Sequence, residues 1–140
     1  MDRATVHALL DRLGLRRFFA AVVTADDDME TISERFLSAA IKLGRPPNQC
    51  VVFSGCPAAV TAAHNCTMRA VAVQGAHRAY QLQNADLTVA SLAELTVYNL
   101  RRLFANNGLH HMDLAQDRVG STPPRRRLTF AVAEEPEQET

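Results

Sequence analysis

The stretch Gln49–Val73, QCVVFSGCPAAVTAAHNCTMRAVAV, decides the fold. An apolar run of strand composition, Cys50–Phe53, meets a turn of small residues at Ser54–Gly55–Cys56. Pro57 suits the first position of a helix, where its missing N–H would be unpaired in any case. The helix is predicted over Pro57–His64, with Ala58, Ala59, Ala62 and Ala63 small enough to let it lie close on a sheet. A second apolar run, Ala70–Val73, follows a tight connection. A strand–helix–strand crossover of this length makes the strands parallel, and chemistry in parallel sheets gathers at the carboxyl ends of strands. Here that place is the Ser54–Gly55–Cys56 turn.

The chain has 140 residues, 47% of them hydrophobic, which suits one packed domain. Fifteen basic residues balance fifteen acidic ones, so no charge footprint for nucleic acid or a membrane surface is expected. No apolar run nears the roughly 18 residues that span a bilayer, and no secretory pattern opens the chain. A soluble, intracellular protein is expected. Cys50, Cys56 and Cys66 are odd in number and lack zinc spacing, which favours neither a disulfide framework nor a structural metal, and suits a reducing compartment.

Outward from the central unit, Val6, Leu9, Leu10 and Leu13 recur at helical spacing over Ala4–Leu13, with Gly14 to end the helix. Phe18–Thr24 reads as a buried strand, followed by the acidic run Asp26–Asp28. Thr31 and Glu34 form a capping-box pattern ahead of a helix whose face carries Phe36, Leu37, Ala40 and Ile41, with Gly44 beyond it. Gln74–Ala85 reads as loop or short helix, Leu87–Val89 as a short strand, and Ser91 with Glu94 as a second capping box. A last helix is predicted over Thr96–Ala105, closed by Asn106–Asn107–Gly108. Residues 1–108 are thus the domain. Over 109–140, with basic, proline-rich Ser121–Arg127 and an end carrying Glu134, Glu135, Glu137 and Glu139, a disordered tail is expected.

This order resembles the C-terminal half of haloacid-dehalogenase-superfamily phosphohydrolases, in the beta-phosphoglucomutase-like branch. The residues that carry it are Phe19–Asp27 (FAAVVTADD), Phe36–Leu43 (FLSAAIKL), Cys50–Phe53 (CVVF) with Pro57–Ala63 (PAAVTAA), Met68–Val73 (MRAVAV) and Ala85–Leu95 (ADLTVASLAEL). It covers about Ala4–Leu95. Ala76–Tyr80 and Tyr98–Gly108 are similar to plant plastid members, which implies a chloroplast setting.

The resemblance implies an α/β fold: a partial Rossmann-like core, its short parallel sheet flanked by helices, without the family's first two strands and cap domain. It also implies Mg2+-assisted phosphoryl transfer through an aspartyl-phosphate, which needs a carboxylate nucleophile, metal-holding carboxylates and a lysine. The family's DxD nucleophile and its phosphate-binding Ser/Thr are expected to match positions ahead of Met1. Glu30 stands near the lysine position, where a carboxylate repels a phosphate. Ser54 and Gly55 stand where metal-holding carboxylates belong. A truncated pseudoenzyme is therefore expected, with no catalytic residue, no metal site and no cofactor of its own.

Other roles for these residues are weaker. Ser54, Gly55 and Cys56 could bind an anion through backbone N–H groups at the helix start. Cys56 as a nucleophile has no base beside it, since His64 lies two turns along the helix. Asp26, Asp27 and Asp28 follow a different strand from the degenerate turn. The family places its first two strands between those matching Phe18–Thr24 and Cys50–Phe53, so their lack would leave a gap with exposed edges. Closing up of the strands, a protein partner or self-association through the incomplete sheet, or a longer product supplying the DxD half are the alternatives.

Overall fold

The computed structural model describes residues 2–105 and 129–133. Helix α1, Arg3–Arg12, leads into strand β1, Phe19–Val23; helix α2, Ile32–Leu43, leads into β2, Val51–Ser54; and helix α3, Pro57–Asn65, joins β2 to β3, Arg69–Val73. Strand β4, Leu87–Val89, helix α4, Val97–Ala105, and strand β5, Phe130–Ala133, complete the order. The central reading holds closely. β2 and β3 are parallel with Val51 opposite Arg69 and Ser54 opposite Ala72, and β4 adds in parallel beyond β3.

Local chemistry explains the boundaries. Thr31 caps α2 by accepting from the Glu34 N–H at 3.2 Å, while the Glu34 carboxylate accepts from the Thr31 N–H at 3.1 Å. Gly44 ends that helix in the left-handed conformation, with φ 66°. Pro57 opens α3 at its first position. Its four alanines divide by face, Ala59, Ala62 and Ala63 buried and Ala58 exposed. The main core joins α2, α3 and β3 through Phe36, Ala40, Ala59, Val60, Ala63, Met68 and Ala70, closed by Leu82. Leu82, in the segment read only as loop or short helix, is fully buried.

Several expectations need correction. The inner face of α2 is Phe36, Ala39 and Ala40, whereas Leu37 and Ile41 face outward, Ile41 at 79% exposure. In α1 only Val6 and Leu10 are buried, with Leu9 and Leu13 exposed. Ser91 and Glu94 cap a 3-10 turn at Leu92–Glu94 and not α4: the Ser91 hydroxyl accepts from the Ala93 N–H and the Glu94 carboxylate from the Ala90 N–H.

The largest departure is β5. The stretch Phe130–Ala133, assigned above to a disordered tail, pairs in parallel with β1, Ala21 opposite Ala131 and Val23 opposite Ala133. The other features of that tail, with the Asn106–Asn107–Gly108 stop, lie outside the described residues. Helix α2 covers both β1 and β5 and packs on α3, and Ala133 reaches the core that α2, α3 and β3 share. β5 therefore lies on the side of β1 that faces β2, within the expected gap. Among the described residues β1 and β5 form one sheet and β2, β3 and β4 another, with no ladder between them.

Candidate functional site

The carboxyl ends of the parallel strands bring together the Ser54–Gly55–Cys56 turn and the end of β3. Ser54 is buried, and its hydroxyl accepts from the Cys56 N–H at 3.0 Å. That bond tightens the turn and takes up one of the backbone donors that an anion would need. A Cβ on Gly55 would stand 3.1 Å from the carbonyl oxygen of Val73. A side chain at Gly55 would need the Val73 carbonyl to give by a few tenths of an ångström.

The three aspartates after β1 are engaged in holding the loop. Asp27 accepts from the Thr24 N–H at 2.6 Å, closing a capping box around the 3-10 turn Ala25–Asp27. Its other oxygen pairs with Arg3 at 2.5 Å and Lys42 at 3.6 Å. The Thr24 hydrogen bond, with the Lys42 and Arg3 charges, overcomes the effect of burial and holds the Asp27 carboxyl below its ordinary value. Asp26 accepts from the Arg3 N–H at 2.7 Å, tying the start of α1 to the same loop, and Asp28 takes the left-handed conformation that turns the chain toward α2. Glu30 is exposed ahead of α2, where its N–H donates to Glu34.

Ser54 is engaged in its own turn, Gly55 brings no side-chain ligand atom, and Asp27 is paired with two cations. Among the described residues no three His, Cys, Asp or Glu side chains converge as a metal site. Cys56 is half-buried at the start of α3, and Cys50, also half-buried, has its thiol pushed up by burial, with Arg45 opposing.

A polar cluster that sequence reading missed lies at the opposite end of the sheet. Asp86, just before β4, accepts from the Ala70 N–H at 2.8 Å and donates its own N–H to the Ala70 carbonyl at 2.9 Å. Its carboxylate also meets His64 Nε2 at 2.9 Å and the Arg69 guanidinium at 3.5 Å. Burial raises the Asp86 pKa, but the Ala70 N–H and the two basic side chains outweigh it, so the carboxyl sits below its ordinary value. A cavity of about 330 Å³ beside it is lined by Asn48, His64, Thr67, Met68 and Arg69. This end is the amino end of β3, away from the Ser54–Gly55–Cys56 turn. Asp86 staples β3, β4 and the end of α3. The only sequence signal for it was a lone acid ahead of a short strand.

A parallel sheet under a crossover helix, with a tight strand-to-helix turn at its carboxyl end, defines a Rossmann-like α/β chain, and comparison relates it to the haloacid-dehalogenase superfamily. The chain is a homologue of phosphatases of that superfamily and carries their fold over about 70% of its length. It is 34% identical over 103 residues to the chloroplastic 5-amino-6-(5-phospho-D-ribitylamino)uracil phosphatase of Arabidopsis thaliana, covering 72% of this chain and 28% of that one. It is 40% identical over 75 residues to the fructose-1-phosphate phosphatase YqaB of Escherichia coli, covering 52% and 40%. The chain thus spans well under half the length of either relative. A HAD hydrolase, family IA, variant 3, from Entamoeba histolytica superposes with a TM-score of 0.68 at 18% identity, over 76% of this chain and 51% of that one. A beta-phosphoglucomutase from Clostridium difficile superposes with a TM-score of 0.62 at 23% identity, over 69% and 43%. No protein-family profile matches the chain. Among the described residues no helix is long and apolar enough to cross a membrane.

Proposed function

We propose that this chain is a phosphatase-fold protein that does not transfer phosphoryl groups by itself, and that its role is protein association through the edges of its sheets. The observation that carries the reading is the Ser54–Gly55 turn. A serine bound to its own loop and a glycine with no side-chain ligand stand where the resemblance puts metal-holding carboxylates. Glu30, near the position of the phosphate-binding lysine, adds a repelling charge. Among the described residues no ladder joins the two sheets, and their facing edges supply the association surface. Similarity to a chloroplastic enzyme supports a soluble plastid setting.

The test is Mg2+-dependent hydrolysis of p-nitrophenyl phosphate and of sugar phosphates by the purified chain. No turnover above buffer is expected, and none from the Gly55→Asp/Glu30→Lys double variant. Mg2+-dependent turnover by the unaltered chain would overturn the reading. A second reading is favoured by the coverage of only 28% and 40% of two phosphatases. In it, the chain is the C-terminal part of a Mg2+-dependent phosphatase whose DxD half comes from another polypeptide or a longer product. That reading expects activity once such a half is joined to the chain.

A further inference from the structure

Strand β5 is attached to the described structure by one ladder, with β1, by the covering face of α2, and by Ala133 at its end against the main core. It is four residues long, Phe130 is 46% exposed, and Ala131, Val132 and Ala133 are half-buried. The ladder is irregular between Phe19 and Ala21. A two-stranded parallel pair this short has little stability of its own. In sequence β5 is separated from α4 by residues 106–129, whose upper limit of span is about 80 Å. Without β5, β1 would present a row of unpaired backbone groups beside its apolar residues Val22 and Val23. The molecule itself shows which strand fits that edge in register. It is β5, and every copy of the chain carries one.

We propose that β5 is exchangeable between copies, so that two chains associate by each laying its β5 on the other's β1. The partner is a second copy of this chain, joined by reciprocal exchange of an identical element. This rests on the reading of the sheet edges as an association surface, and identifies which strand is shared and which edge receives it. It does not depend on the loss of catalysis.

The test mixes two full-length variants, Ala21→Cys and Ala131→Cys, whose positions face one another across the ladder. Disulfide formation between residues 21 and 131 is read by mass spectrometry, and size by sedimentation over a range of concentrations. The expected result is a 21–131 linkage between the two different chains, in a dimer whose fraction grows with concentration. The dilute double variant Ala21→Cys/Ala131→Cys should close the same bond within one chain. If it does and the mixture forms a dimer without the 21–131 linkage, exchange is overturned and association through other edges stands. A monomer at every concentration overturns both exchange and association. A double variant that closes no bond in either form overturns the β1–β5 pairing on which exchange rests.

Discussion

Strands β1 and β3 are alike in composition, FAAVV against RAVAV, yet they lie in different surroundings. In β3 the three central residues, Ala70, Val71 and Ala72, are buried, because β2 and β4 flank the strand and α3 covers it. In β1 only Val23 is buried, and the strand's partner among the described residues is the short β5. Burial is set by what stands beside a strand. For β3 the neighbours come from nearby sequence, through one helix and one short loop. For β1 the neighbour comes from more than a hundred residues further along the chain.

The first way to break the comparison is to cut the core of the well-flanked half. Leu82→Ala removes a fully buried side chain that closes the α2–α3–β3 core. It should cost about 3 kcal/mol in urea unfolding. A loss below about 1 kcal/mol would mean that this half is less tightly packed than described.

The next effect in size belongs to Asp86. Asp86→Asn should cost about 2 kcal/mol at neutral pH, since the carboxylate holds the Ala70 N–H and two basic groups. Its folded pKa lies below its unfolded value. The stability it contributes is therefore present above the unfolded pKa, about 3.9, and is lost as pH falls through the folded value. Urea titrations between pH 7 and pH 2 should show a smaller acid-side decline for the variant than for the parent chain. Identical slopes would remove Asp86 from the acid response.

The smallest effect sharpens the contrast. Val132→Ala, in the half-buried β5, should cost no more than about 1 kcal/mol by the same measurement. A cost equal to that of Leu82→Ala would show that the two halves are equally dependent on packing.

The parts of the fold legible in the sequence were those whose signals are local. Pro57 with the alanines of α3, the Thr31–Glu34 box and the terminal Gly44 each place a boundary through chemistry within a few residues. The strand-to-helix turn at Ser54–Gly55–Cys56 was legible for the same reason, set between an apolar run and Pro57. What could not be read was long-range. Phe130–Ala133 is too short and too far from β1 to announce its pairing, and Leu82 has no periodic neighbours to mark it as core. The Asp86 cluster joins side chains from α3, β3 and the approach to β4, which share no sequence spacing. The outward turn of Leu37 and Ile41 reflects a narrower contact between α2 and the sheets than its apolar positions suggest.

Native-state hydrogen exchange tests the division into unequal halves most directly. The amides of Val71–Val73 are expected to exchange only through global unfolding, while those of Ala21–Val23 and Ala131–Ala133 exchange through a smaller opening, at least tenfold faster. Equal protection in β1, β3 and β5, lost together as denaturant rises, would contradict the account and show one continuous cooperative sheet.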